Sequence, residues 1–378
     1  MTLLGLGVVG TSAKENEHRL PLHPEHLAGL DEDLRTRITL EHGYGERFGV
    51  SDTALADVVS GFASREQILA GSDVVLLPKP QHADVALLRE GSVLWGWPHC
   101  VQDPGLTQIA IDRRHTVIAF EVMNHWTRDG NVGVHVFHKN NELAGYCSVL
   151  HALQLTGRTG DYGRRLRAAV IGFGATARGA VTALNAHGVH DVSVLTTRGV
   201  AAVGSPIHSV RILQFDHDGE GHVSEVITDR GRVQAAPFLA EFDIVVNCTF
   251  QDTAAPLTYL SVEDAAAFRP GSLVVDVSCD EGMGFEWARP TTFGDPMFDV
   301  GGLHYYAVDH SPSYLWESAT WENSLAIIPF LRPLLEGPAS WDADETIARA
   351  IEIRDGHVMN PAILAFQGRS ATYPHPVG

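Results

Sequence analysis

Cysteine is scarce in this chain. Four residues, Cys100, Cys147, Cys248 and Cys279, stand far apart among 378, with no CxxC pair. That spacing excludes a disulfide frame and a zinc knuckle and fits reduced cytoplasmic thiols. Basic residues are also few: 27 Lys plus Arg against 46 Asp plus Glu leave a net charge of −19. An acidic surface of that size repels phosphodiester backbones and anionic lipid, so neither nucleic acid nor a membrane is an expected partner. A local basic patch stays open to one small phosphate. Long apolar runs are missing, and none approaches the roughly 20 residues of a membrane helix. The opening MTLLGLGVVGTSAKENEHR lacks a basic leader and a small-residue cleavage site, so no signal peptide is expected. With 44% hydrophobic and 19% charged residues, disorder does not describe most of the chain. At about 150 residues per domain, its length suggests two globular domains.

What is there alternates between short apolar runs and helical patterns. Leu3 to Val9 reads as a strand, and Pro24 suits a first helical turn. Ser64 with Gln67 reads as a capping box, and DVVLLP (73–78) as a buried strand stopped by proline. SVLWGWP is the next strand, Asp103-Pro104 opens a helix, and TVIAFE closes the series. This alternation predicts an α/β unit with a largely parallel sheet. Asn140 to Leu155 is a longer helix, and a second alternating series runs from Ala168 to about Asp280. Beyond Gly301 an aromatic stretch leads into a helix ending near Leu335, and a further helix is expected from Asp344 to Arg354.

Two glycine motifs compete for the role of phosphate loop. Gly5, Gly7 and Gly10 form GxGxxG, yet KENEHR follows where an apolar helix face belongs, so they read as a strand end and turn. RAAVIGFGATARGAVTALNAHG is the better placed match: a buried strand, then Gly172, Gly174 and Ala177, then a helix, with Arg178 a further cofactor-binding candidate. Gly172 suits the tight turn, Gly174 a close backbone approach to a pyrophosphate, and Ala177 the packing of helix on strand. The next strand ends in Thr196, Thr197 and Arg198, where enzymes selective for NAD usually carry an acid. Without that carboxylate, and with an arginine at hand, a 2′-phosphate is favoured, which points to NADPH. A solvated turn arginine is the plainer reading of Arg198.

Candidate chemistry lies at strand ends. Arg19, in KENEHRLPLHP, suits a small carboxylate. Lys79 (LLPKPQ) and His99 (GWPHC) each follow a buried strand, and Asp280 (VVDVSCDEG) ends one in the second series. Each has an ordinary alternative as a surface charge, a strand-edge lysine, one histidine among 20, or a turn cap. Their shared placement raises all four, since a doubly wound fold gathers strand ends around one cleft. His135 and His138 (HVFH) have no acid or cysteine beside them, so no metal is expected.

ENEHRLPLHP, LWGWPHCVQ, NNELAG, IGFGATARGA, DVSCDEGMGFEWARPT, YYAVDHSPSYLW and AIEIRDGHVMNP together carry a resemblance that runs nearly end to end. The chain resembles the alanine dehydrogenase/saccharopine dehydrogenase family, and within it the carboxyethylornithine synthase-like members. The resemblance implies a Rossmann dinucleotide-binding domain (140–303) inserted in a second, flavodoxin-like α/β substrate domain (1–139 and 304–378). It implies that Arg19 binds pyruvate, and that Lys79, His99 and Asp280 are active-site residues. Thr196 in place of an acid, and HSPSYLW near the site, depart from alanine dehydrogenases proper.

The expected activity is therefore NADPH-dependent condensation of a 2-oxo acid, pyruvate foremost, with an amino acid's side-chain amine, through an imine that is then reduced. Arg19 would hold the carboxylate, Lys79 polarise the carbonyl, His99 shuttle protons and Asp280 stabilise the iminium. For the amine, the stretch Tyr305 to Glu322 offers Asp309, Glu317 or Glu322 to an ammonium, with Tyr314 and Trp316 as walls; packing is the plainer role of those aromatics. Reductive amination with free ammonia, and an idle NADPH-binding protein, stay open. A cytoplasmic homo-oligomer is expected in each case.

Overall fold

DVVLLP and SVLWGWP carry apolar side chains at consecutive positions, and a strand buries those only when both of its faces are covered. The computed structural model meets that condition in two separate sheets. It describes residues 3–197, 210–219, 221–249, 251 and 255–378. The chain divides into two compact units, residues 1–138 with 316–378, and residues 139–315.

The first unit winds six parallel strands: Leu6–Val8, Ile38–Glu41, Gly61–Ala63, Val74–Leu76, Val93–Gly96 and Thr116–Ala119. They lie in the order 3-2-1-4-5-6. Without the short edge strand Gly61–Ala63 the order becomes 2-1-3-4-5, the flavodoxin-like winding. Val74, Val75 and Leu76 are fully buried, as their double-faced position requires. Ser64 and Gln67 form the capping box that opens Arg65–Gly71. The helix Trp316–Glu336 returns to this unit and buries Ile327, Phe330, Leu331, Leu334 and Leu335 in its core. The Leu20 N–H, donating to Thr320 Oγ1 at 2.9 Å, ties its first turns to the N-terminal loop.

One expected helix is corrected. Between Asp344 and Arg354 only Glu345–Ala350 is helical, and Ile351–Arg354 is a strand, antiparallel to Thr116–Ala119. Ile351 and Ile353 alternate, and they fill the sheet edge opposite Ile118 and Val117.

The second unit repeats the theme. Arg167–Ile171, Asp191–Thr196, Arg211–His217, Ile244–Asn247, Leu273–Asp276 and Leu303–Tyr306 are parallel, again in the order 3-2-1-4-5-6. That is the dinucleotide-binding order, with antiparallel strands added at both edges. Leu303–Tyr306 pairs with Leu273–Asp276, so the second boundary falls after residue 315 and not after 303.

The first glycine motif is structural. The turn after Leu6–Val8 has N–H groups of the kind that would cradle a phosphate, but Glu41 takes them: Gly10 and Thr11 donate to its Oε2 at 2.8 Å each, and Thr11 Oγ1 to its Oε1 at 2.7 Å. Glu41→Ala leaves three part-buried donors without an acceptor and should destabilise the protein by about 1–3 kcal/mol. A fall in the denaturant midpoint with an unchanged slope is the expected reading.

Candidate functional site

In a parallel sheet every strand delivers its carboxyl end to the same edge, and the loops that follow hold the ligands. In the first unit those loops carry Arg19, Lys79 and His99, after Leu6–Val8, Val74–Leu76 and Val93–Gly96. The hydrogen-bonded zipper continues past the strands, with Leu77 N–H donating to Trp95 O at 3.1 Å and Trp97 N–H to Pro78 O at 2.9 Å. Gly96 makes this approach possible, since a Cβ there would lie 2.0 Å from Leu77 O. As a result Lys79 Nζ reaches His99 Nε2 at 3.0 Å. With Lys79 as donor, the imidazole proton sits on Nδ1, which lies 3.9 Å from Glu121 Oε1.

Trp97 floors this cluster. The Arg19 guanidinium lies 5.5 Å and Lys79 Nζ 5.8 Å from the centre of its ring. Arg19 is 5% exposed, and its Nε donates to Glu17 Oε1 at 2.8 Å while one terminal nitrogen grips Glu17 Oε2. Burial by itself would raise the Glu17 carboxyl, but the guanidinium outweighs it and holds the carboxyl below its usual range. This fork fixes the plane of Arg19.

Glu121 was not singled out in the sequence, where it reads as the last residue of TVIAFE. Its Oε1 accepts the His99 N–H at 2.7 Å. Burial first, and the carboxyl of Glu352 second, push it up to about 8. Its placement past a strand end is the same signal that marked Lys79 and His99. Glu17 and Trp97 were missed for a different reason: Glu17 works only by holding Arg19, two residues on, and Trp97 by lying against side chains distant in sequence.

The second unit places Asp280 beyond Leu273–Asp276, half-buried, and burial raises its carboxyl. The loop before it is pinned by Asp276, which accepts the Cys279 N–H at 3.0 Å, Asn247 Nδ2 at 2.9 Å and Tyr305 Oη at 2.7 Å. At the sheet's switch point, Gly172 has φ +108°, and a Cβ on it would meet Cys248 O at 2.9 Å. Gly174 precedes the helix Ala175–Ala186, whose N-terminus has no side-chain cap, and no atom lies within 4 Å of a Cβ built there. Buried Ala177 seats that helix on the sheet, and the Arg178 guanidinium lies 5.3 Å from the Phe173 ring centre. Uncapped N–H groups facing open space fit the diphosphate of a dinucleotide. Thr196 is buried at its strand end and Thr197 exposed, while Arg198 lies outside the described residues.

The expected amine-pocket residues fall in both units and are already engaged. Asp309 Oδ1 pairs with His310 Nδ1 at 2.6 Å, and Tyr314 bonds Gln154 and stacks on His151 at 4.6 Å. In the first unit, Trp316 meets Phe48 edge-on at 5.1 Å and Arg47 at 5.4 Å. Among the described residues no group of three or more His, Cys, Asp or Glu could hold a metal ion, and no helix is long and apolar enough to cross a membrane.

Two family models cover this arrangement. Alanine dehydrogenase/PNT, N-terminal domain, matches residues 8–144, and alanine dehydrogenase/PNT, C-terminal domain, matches residues 166–361. The chain belongs to the alanine dehydrogenase/PNT family. Among its members, N(5)-(carboxyethyl)ornithine synthase of Clostridium botulinum is 26% identical, over 81% of this chain and 87% of its own. Alanine dehydrogenase of Mycobacterium tuberculosis is 23% identical over 98% of each. An L-alanine dehydrogenase structure superposes with a TM-score of 0.75 at 18% identity, covering 96% of this chain and 99% of its own, and so shares the fold.

The open space above Gly174 gives a direct test. Gly174→Ala should fold normally, since its added Cβ meets nothing, but it should weaken dinucleotide binding at least about tenfold by filling the phosphate approach. Titration calorimetry beside a thermal melt separates the two effects.

Proposed function

We propose that this protein is an NADPH-dependent reductase that condenses a 2-oxo acid, pyruvate foremost, with the side-chain amine of an amino acid such as ornithine or lysine. The observation that carries this reading is the Lys79–His99 pair beside Arg19 on the Trp97 ring. An amine attacking a ketone needs a carboxylate anchor, a donor to the carbonyl oxygen, and a group that takes a proton from nitrogen and returns it to the departing hydroxyl. Arg19 would anchor the oxo acid through its carboxylate, with Glu17 setting the plane of the guanidinium. Lys79 would donate to the carbonyl oxygen as negative charge grows on it. His99 Nε2 would carry the proton from the incoming nitrogen to the hydroxyl that leaves as water. A bound reduced nicotinamide supplies the hydride that completes the reduction.

Asp280 is proposed to face the iminium cation. Burial favours its neutral form, and a cation in front of it reverses that preference, so it gains charge as the substrate does. Gly172, Gly174, Ala177 and Arg178 are proposed to hold the diphosphate. Thr196, Thr197 and Arg198 are proposed to accept the 2′-phosphate, because no carboxylate stands at Thr196 to repel it. Asp309, Tyr314 and Trp316 are the proposed contacts of the amino acid's far end. The ornithine-synthase relative supports a side-chain amine, and the alanine dehydrogenase relative, matched over 98% of both chains, supports ammonia as the second reading.

Loss of nicotinamide absorbance over a matrix of oxo acids and amines, with product masses, decides between them. Ornithine or lysine with pyruvate should outpace ammonia and yield a secondary amine; free alanine from ammonia, with no such product, would promote the second reading. Lys79→Met and His99→Ala should each cut turnover about 10²–10⁴-fold while leaving NADPH affinity intact. NADPH should be preferred to NADH by roughly 10–100-fold, and Thr196→Asp with Arg198→Ala should erode that ratio.

A further inference from the structure

The C-terminal segment reaches back to the turn that carries His99. The helix Pro361–Gln367 ends at Gly368, left-handed at φ +63°, and the chain then buries Arg369 to 7% exposure. Arg369 Nη1 donates to Gln108 Oε1 at 2.7 Å and to the His375 carbonyl at 3.2 Å, and its Nη2 to the Pro104 carbonyl at 3.1 Å. Its Nε donates to Gln367 Oε1. A guanidinium only donates, so this bond decides which end of the Gln367 amide is oxygen. The nitrogen end faces acceptors: Gln367 Nε2 donates to the Cys100 carbonyl at 2.6 Å and reaches the Val101 carbonyl at 3.2 Å.

Those carbonyls belong to the two residues after His99, and the turn they form is a demanding one. His99 is left-handed at φ +50°, a conformation that a residue with a Cβ keeps only where its surroundings impose it. Its own carbonyl accepts the N–H groups of Gln102 and Asp103 at 3.0 Å each, which closes the turn on itself. Two side chains distant in sequence fix where the closed turn sits. Glu121 Oε1 accepts the His99 N–H at 2.7 Å, and Gln367 meets the next carbonyl, whose second lone pair Thr107 Oγ1 takes at 2.8 Å. We propose that Gln367 is a positioning residue for His99: its amide, oriented by Arg369, holds the Cys100 and Val101 carbonyls and so keeps the His99 ring within reach of Lys79. Attachment of the tail does not depend on this amide, because Ile363 is fully buried in the core and Arg369 bonds Gln108 and Pro104 by itself.

The placement of His99 is independent of the proposed reaction, and only its consequence for turnover rests on that reading. Two substitutions separate the parts of the amide. Gln367→Met removes both its bonds, whereas Gln367→Glu keeps an acceptor for Arg369 and replaces only the donor. Nitrogen NMR of the full-length protein labelled at histidine reads the His99 Nε2 resonance, assigned by its loss in His99→Ala. Lys79→Met shows how that resonance moves when the bond from Lys79 is absent. Both Gln367 variants should move it in the same direction. In turnover each should lower kcat about tenfold, since a small misplacement of a reacting group is costly, while KM for the oxo acid changes less than about twofold. If Gln367→Met fails to fold, Gln367→Glu decides. A His99 resonance unmoved in a folded variant, or wild-type kcat in Gln367→Glu, overturns the proposal. Absence of turnover by the wild type with every amine would overturn the functional reading instead, and the resonance alone would then decide the role of Gln367.

Discussion

Parallel winding is the constraint from which the rest follows. Six strands of each sheet run the same way, so in each unit all six carboxyl ends open on one edge. Their apolar residues are consumed by burial on two faces, which leaves the polar chemistry to the residues just past each end. Arg19, Lys79, His99 and Glu121 follow four strands of the first unit, and Gly172, Thr197 and Asp280 follow three of the second. The site in each unit is thus a property of topology before it is one of particular side chains.

A second device recurs in both units. His99 has φ +50° and Cys279 φ +46°, and each stands at or beside a proposed site residue. In each case a buried carboxyl accepts the N–H of the left-handed residue, Glu121 for His99 and Asp276 for Cys279. Asp276 is pushed up to about 6 by its burial, in spite of three donors. Such acids are expensive to bury, and their surroundings offset the cost by satisfying most of their oxygens. What they gain is a sharp turn that holds a polar residue just past the strand end, His99 itself in the first unit and Asp280, after Cys279, in the second.

Much of this was legible before the structure. Consecutive apolar residues at DVVLLP and around Val170 announce strands buried on both faces, and Ser64 with Gln67 announces a helix start. The placement of Gly172 and Gly174 between a strand and a helix separates the proposed phosphate loop from Gly5–Gly10, where Glu41 accepts the Gly10 and Thr11 N–H groups. The illegible parts are those decided by pairing distant in sequence. Ile351–Arg354 continues the apolar spacing of the helix before it, and only its fit against Thr116–Ala119 makes it a strand. Leu303–Tyr306 belongs to the second sheet because of Leu273–Asp276, a partner about 30 residues away. Glu17, Trp97 and Glu121 carry no motif of their own, since each works by holding another residue in place.

The charge of the whole chain bears on the first-unit site in a way its residues make concrete. A protein of net charge −19 repels an oxo acid at long range, so attraction has to be local and sheltered from solvent. Trp97 provides the shelter, its ring lying 5.5 Å from Arg19 and 5.8 Å from Lys79. Two cations drawn to one aromatic ring repel each other, and the Glu17 carboxylate, which burial would raise but Arg19 and also Lys79 hold below its usual range, offsets part of that repulsion. A small anion between them would relieve the remainder, and this is the place proposed for the carboxylate of the oxo acid.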